Sequence, residues 1–269
     1  MQKTYNIVIP ARYASSRLPG KPLLEIAGKT MLQHTYERAC LSKANKVIIA
    51  TDNEKILDSA RMYTDDVILT SEHHQTGTDR LAEVVDCLSW DDDAIIVNVQ
   101  GDEPLILPEH IEQAADLLIS HPDAGISTLS YRIQSMEELF DPNVVKLVND
   151  VNGYALYFSR AVIPWHRDKF SLLKQEEKYS ADNSLPNTAA YFRHIGMYAY
   201  RAKILKTYSS LEPAQIEQSE SLEQLRALYY GIKIIVGETD KQPGHGVDVE
   251  ADLARVEKLM QLSQSTKEI

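Results

Sequence analysis

The sequence predicts an α/β protein built on a parallel sheet, with an antiparallel excursion in its second half. Two observations carry this. Over the first seventy residues, short apolar runs alternate with segments of helical periodicity, the order of a parallel sheet joined by right-handed crossovers. From about residue 140 the pattern changes: strand-like runs at 143–148, 153–159 and 194–200 succeed one another without regular helices between them. That is the mark of antiparallel pairing.

The first apolar run, Ile7-Val8-Ile9, is ended by Pro10 and reads as a buried strand. A helix over 30–41 follows, with Met31, Leu32, Thr35, Ala39 and Cys40 at helical spacing. Strands are expected at 46–52 and 66–70 with a helix over 53–63 between them, so Asp52 and Thr70 should collect along one sheet edge. The polar loop 71–80 opens a helix over 81–88, and Thr76-Gly77-Thr78-Asp79 has the composition of its cap. Residues 94–100 form the most strand-like stretch and deliver Asp102 to the carboxyl end of a central strand. A helix at 109–119 and a strand near 125–131 lead into the excursion.

Within the excursion, 166–190 is polar and reads as a loop or short helix serving as a lid or interface element. Helices over 201–208 and 217–230 follow, the second with Leu222, Leu225, Leu228 and Tyr229 inward. A strand at 233–236, a tight turn at 243–248 and a helix over 250–262 close the chain. Residues 1–269 thus read as a single domain, with about 140–208 as a subregion.

Composition narrows the function classes. A net charge of −11 argues against general nucleic-acid binding, which calls for a basic face. No run approaches the roughly 18 apolar residues of a membrane span, and no signal peptide precedes the first strand, so a cytoplasmic protein is expected. Cys40 and Cys87 lack metal-ligand spacing and are expected as buried, reduced thiols.

The chemistry concentrates in the loop after the first strand, which holds Arg12, Arg17 and Lys21, with Pro19-Gly20 bending the backbone before the lysine. Guanidinium forks and an ammonium suit the oxygens of a phosphate chain. The alternative is a solvated basic loop, but open α/β sheets bind their ligands just beyond their strands, which favours an anion. The loop is neither a Walker A motif nor a dinucleotide fingerprint. Asp102 reads as a metal ligand or a buried helix cap, and Asp248, in the tight turn, is a second candidate metal carboxylate. His73-His74 has no third ligand at a telling distance, so capping of the following helix is preferred there.

Eight motifs, in order along nearly the whole chain, resemble the 3-deoxy-manno-octulosonate cytidylyltransferases. They are Ile-Pro-Ala-Arg-Tyr-x-Ser-x-Arg-Leu-Pro-Gly-Lys-Pro-Leu (9–23), Ala-Thr-Asp (50–52), Gly-Thr-Asp-Arg-Leu (77–81) and Asn-Val-Gln-Gly-Asp-Glu-Pro (98–104). Gly-Tyr-Ala-Leu-Tyr-Phe-Ser-Arg-Ala-x-Ile-Pro-Trp (153–165), Arg-His-Ile-Gly-x-Tyr-x-Tyr (193–200), Leu-Glu-Gln-Leu-Arg (222–226) and Pro-Gly-x-Gly-Val-Asp (243–248) complete the set. The resemblance implies a nucleotide-diphospho-sugar transferase fold, a Rossmann-like three-layer α/β sandwich with an antiparallel dimerisation excursion. It also implies a homodimer that needs Mg²⁺. The implied reaction transfers CMP from CTP to 3-deoxy-manno-octulosonate with release of pyrophosphate, for lipopolysaccharide synthesis.

Carried over position by position, the resemblance gives Arg12, Ser15, Arg17 and Lys21 to the CTP phosphates and Asp102 and Asp248 to the metals. Arg17, Lys21, Asp102 and Asp248 are thereby the expected catalytic set. Thr76, Arg80 and Gln100 are expected to line the nucleotide and sugar pocket, and Arg160, His194, Tyr198, Glu223 and Gln224 to meet the sugar acid. Asp79, Ser219 and Ser221 depart from the family's usual residues, and 166–190 is longer than usual. These departures leave an 8-amino or sialic-type acceptor as the alternative substrate. A non-catalytic nucleotide-binding module predicts the loss of a loop cation or metal carboxylate, and all of these are present.

Overall fold

A computed structural model describes residues 4–14, 18–74, 76–171, 184–186, 190–244 and 246–265. The first half runs β1 (Tyr5–Ala11), a hairpin of β2 (Glu25–Ile26) and β3 (Lys29–Thr30), α1 (Met31–Ala39), β4 (Lys46–Thr51), α2 (Glu54–Arg61), β5 (Val67–Leu69), α3 (Gly77–Cys87) and β6 (Ile95–Asn98). Next come α4 (Pro108–Ser120), β7 (Ile126–Arg132), α5 (Met136–Phe140), β8 (Lys146–Asn149), β9 (Ala155–Ser159) and α6 (Arg167–Phe170). The chain continues through β10 (Phe192–Arg201), α7 (Ala202–Tyr208), α8 (Gln215–Glu220), α9 (Gln224–Tyr229), β11 (Ile234–Thr239) and α10 (Glu250–Ser265).

β1 shows why the first apolar run is continuous rather than alternating. Every one of its residues is buried, and its side chains alternate between two cores. Ile7, Ile9 and Ala11 join Leu32 of α1, Ile56 of α2 and Ile111 of α4 on one face. Val8 joins Leu81 and Val84 of α3 and Leu205 of α7 on the other. A strand covered by helices on both faces has no polar side to display.

The main sheet has the order β11-β7-β10-β6-β1-β4-β5, with β8 on β10 and β9 on β8. β1 is parallel to β4 and β6, β4 is parallel to β5, and β11 is parallel to β7. β10 is antiparallel to β6, β7 and β8, and so is the seam between the parallel half and the excursion. Its pairing with β7 slips between Ile195 and Tyr198.

The expected strands and helices are present, and four expectations about them and their residues are corrected. The helix expected over 217–230 is two helices, α8 and α9, because Ser221 adopts a left-handed φ of 51°. A buried ion pair between Glu217 and Arg226 (2.5 Å) ties the two pieces together. The sequence there has neither glycine nor proline, so periodicity alone runs through the break. Leu222 and Leu225 face inward as expected, whereas Tyr229 is 62% exposed. Both cysteines are free thiols, but exposed rather than buried. Finally, α3 begins at Gly77, four residues before the helix the apolar pattern marks, because Thr76 and Asp79 close a reciprocal capping box. No helix among the described residues is long and apolar enough to cross a membrane.

Candidate active site

Three loops at the carboxyl ends of β1, β6 and β11 converge. In the first, Gly20 takes a left-handed φ of 68° and its N–H donates to the Tyr13 carbonyl (3.1 Å), which turns the chain into the short 3₁₀ segment Lys21–Leu23. A side chain at Gly20 would be strained in that conformation. Lys21 is thereby driven inward and is only 8% exposed. Its Nζ donates to Asp102 Oδ2 (2.5 Å) and to Asp248 Oδ1 (3.2 Å).

Asp102 follows β6, and the turn that brings Asp248 to it is fixed by close packing. A Cβ at Gly244 would lie 2.5 Å from the Leu105 carbonyl oxygen, so only glycine lets these chains approach. The Val247 N–H donates to the Asp102 carbonyl (3.0 Å), which locks the two carboxylate loops side by side. Glu103, to which the sequence reading gave no role, has its carboxyl pushed up to about 7, by burial first and then by the negative charge of Asp102. Its environment thus limits the negative charge gathered here.

Beside these loops lies a cavity of about 340 Å³ lined by Pro10, Arg12, His74, Thr76, Arg80 and Gln100, among others. A smaller one, about 80 Å³, is lined by Asn98, Tyr198, Tyr200, Tyr208, Glu223 and Gln224. Gly77, Gln100 and Glu223 belong to both, so the two are neighbouring compartments. Arg12, Thr76, Arg80 and Gln100 therefore meet around one space, and Tyr198, Glu223 and Gln224 around the next.

Arg80 is 3% exposed, and its fork is engaged by Asp52 (2.6 Å) and Thr70. It therefore ties the ends of two strands together, the polar edge the sequence reading expected, while presenting part of its surface to the cavity. Thr76 spends its hydroxyl on the cap of α3. His74 pairs with Glu83, which also accepts from the Ser71 N–H (2.9 Å); among the described residues no group of three metal-ligating side chains forms.

On the second compartment's wall, the Glu217–Arg226 pair and a bond from the Tyr208 hydroxyl to the Glu223 carbonyl (2.6 Å) hold Glu223 and Gln224 in place. Burial pushes the Glu223 carboxyl up, and its Oε1 finds no hydrogen-bond partner among the described residues. Such an atom calls for a ligand donor.

His194 and Arg160 stand further back, lining neither compartment. His194 Nε2 meets the Thr128 hydroxyl (2.9 Å), and its ring lies 5.2 Å from that of Tyr198. Burial, with Arg193 adding to it, pushes His194 down to about 3. Arg160 donates from Nε to the Glu220 carbonyl (2.7 Å) and from Nη1 to the Pro142 carbonyl (3.1 Å). Its own carbonyl accepts from the wholly buried Lys146 (2.6 Å).

Ser15 and Arg17 lie outside the described residues, as does most of 166–190. Among the lining residues that sequence reading missed are Asn98, Ile126, Tyr200 and Tyr208. Tyr200 had a signal: it stands two residues beyond Tyr198 on β10, hence on the same face.

Residues 6–234 match the family described as Cytidylyltransferase. The chain is 51% identical over 255 residues to a 3-deoxy-manno-octulosonate cytidylyltransferase of Pseudoalteromonas translucida, covering 95% of this chain and 97% of that one. It is 52% identical over 258 residues to the enzyme of the same name from Marinobacter nauticus, covering 96% and 97%. Its fold is similar to a solved CMP:2-keto-3-deoxy-manno-octonic acid synthetase complexed with CTP, with a TM-score of 0.85 and 40% identity over 97% of this chain and 99% of that one.

Proposed function

This chain belongs to the cytidylyltransferase family, and we propose that it transfers CMP from CTP to the anomeric hydroxyl of 3-deoxy-D-manno-octulosonate, releasing pyrophosphate. The observation that carries this reading is the pair of adjoining compartments meeting at Gly77, Gln100 and Glu223. One is edged by cationic side chains and the other by tyrosines, amides and a carboxyl. The first suits a nucleotide, and the second a polyhydroxylated acid whose reacting hydroxyl must reach the α-phosphorus.

The chain's own residues account for most of the electrostatics. Arg12 and Lys21 would meet the phosphate oxygens and take up the charge that grows on the departing pyrophosphate. Gln100, at the meeting of the compartments, would orient both substrates. Tyr198 and Gln224 would donate to sugar oxygens, and Glu223 Oε1 would accept from a sugar hydroxyl. His194, held neutral, would support Tyr198 without adding charge. Arg160 would provide the cationic partner of the sugar carboxylate on release from its carbonyl partners.

Asp102 and Asp248 fit a hard divalent cation, since both already point carboxylate oxygens at a single ammonium nitrogen. We propose that they hold Mg²⁺, which when bound would offset phosphate charge and lower the pKa of the attacking hydroxyl. The product is proposed to feed lipopolysaccharide assembly, and the working form is proposed to be a homodimer.

The test is pyrophosphate release from CTP and Mg²⁺ with 3-deoxy-manno-octulosonate, its 8-amino analogue and sialic acid as separate acceptors. Turnover with the first alone supports the reading. Preference for another acceptor moves the error to the second compartment, and no turnover with any of them overturns it.

A further inference from the structure

We propose that Lys21 is the resident counter-ion of the two metal carboxylates, and that nucleotide phosphates load the metal by drawing its ammonium away. This rests on the reading that Asp102 and Asp248 hold the metal. It adds that the free protein keeps their site filled with its own cation.

The geometry is specific. Lys21 is 81 residues from Asp102 and 227 from Asp248 in sequence, yet one Nζ reaches both, at 2.5 and 3.2 Å. The lysine side chain is largely buried, whereas the carboxylates are more open to solvent. Each partner offsets a cost to the others: a buried ammonium needs anions around it, and two converging carboxylates repel unless a cation stands between them.

A divalent cation seeks the same oxygens. It cannot share them with an ammonium at contact distance, because like charges that close repel strongly where water is partly excluded. In the free protein, metal binding must therefore break both contacts and push Lys21 out. Nucleotide phosphates change that balance, because they give the ammonium other oxygens to meet. The movement needs only the side chain. The Lys21 backbone stays tied by its N–H to the Leu18 carbonyl (3.1 Å), while four methylene groups let the ammonium swing.

Two consequences follow. The free protein resists metal, and phosphate binding and metal binding favour each other by the same factor, since linkage between two binding events is reciprocal. A static ion pair that merely braces the loops predicts neither.

The experiment measures Mn²⁺ affinity by electron paramagnetic resonance on the full chain without nucleotide. Relative to the parent protein, Lys21→Met should bind Mn²⁺ on the order of tenfold tighter, within the 5–150-fold span usual for such coupling. Affinity equal to or weaker than the parent's in a folded Lys21→Met protein overturns the proposal. Should that variant fail to fold, the parent protein decides. With lysine ¹³C-labelled at Cε, metal-free tripolyphosphate must shift the Lys21 signal, assigned with Lys21→Arg, and no shift overturns the proposal.

Asp102→Asn separates the two readings. If it leaves Mn²⁺ affinity in the presence of CTP unchanged, the assignment of the metal to Asp102 fails, and the exchange fails with it. If it weakens that affinity while Lys21→Met gains nothing, the metal assignment stands and only the exchange is overturned.

Discussion

The two sides of the site prepare for their ligands in opposite ways. On the phosphate side the charges are paired with one another: Lys21 with Asp102 and Asp248, and Arg80 with Asp52. On the sugar side Glu223, Tyr198 and His194 sit in surroundings that disfavour charge. Burial raises Glu223 and Tyr198 and pushes His194 down to about 3. A phosphate chain brings enough charge to rearrange ion pairs, whereas a sugar acid offers many hydroxyls beside a single carboxylate, and the hydroxyls are better met by fixed lone pairs and donors. On the proposed reading, the comparison teaches that the first compartment would work by exchange of partners and the second by preorganisation.

The largest effect is expected from breaking the phosphate side. Asp102→Asn should lower kcat/KM by about a thousandfold, roughly 4 kcal/mol of transition-state stabilisation, and should also lower the melting temperature, since the largely buried Lys21 loses one of its two anions. Steady-state kinetics beside a thermal melt checks this, and a drop below about tenfold would remove Asp102 from the chemistry.

The sugar side should instead fail through its scaffold. Arg226→Ala leaves the buried Glu217 carboxylate without its cation and should cost about 3 kcal/mol in urea unfolding. Because the same pair steadies Glu223 and Gln224, the sugar KM should rise further than the CTP KM. Equal changes in both would mean that the two compartments are not separately built.

A smaller effect is expected from Glu223→Gln, which keeps the shape and one acceptor but fixes the group as neutral. The sugar kcat/KM should fall roughly tenfold, about 1.4 kcal/mol, with CTP binding unchanged by calorimetry. A weaker CTP affinity would show that Glu223, which borders both compartments, also meets the nucleotide.

His194 gives the gentlest test, through pH. Its folded value of about 3 lies below the ordinary 6.5, so the unfolded chain takes up this proton first as pH falls. The contribution to stability is complete above 6.5 and is lost as pH drops from 6.5 toward 3, with a slope of at most about 1.4 kcal/mol per unit. His194→Gln should flatten that part of the stability profile. An unchanged slope would show that His194 is not held neutral.

Much of this was legible in the chain because its signals are local. The apolar run of β1, the Pro19-Gly20 bend, the cap at Thr76 and the carboxylate after β6 each depend on a few neighbouring residues. So did the change of pairing near 140, where strands follow one another without helices. The break at Ser221 was not legible. Its cause is tertiary, a left-handed residue steadied by the Glu217–Arg226 pair, and helical periodicity is blind to it.

The same division holds in the site. Residue types and spacing singled out Lys21, Asp102 and Asp248 as candidate partners of phosphate and metal, because chemistry that concentrates charge needs those side chains at the ends of strands. That one ammonium would stand between both carboxylates was decided only by folding, which brings residues 227 positions apart to 3.2 Å. Likewise Arg160 and Arg80 are recognisable as cations in sequence, but what their forks hold depends on carbonyls and carboxylates delivered by other elements. Local propensity fixes which groups a loop offers; the burial and long-range contacts of the tertiary structure decide which of them are paired, neutral or free to meet a ligand.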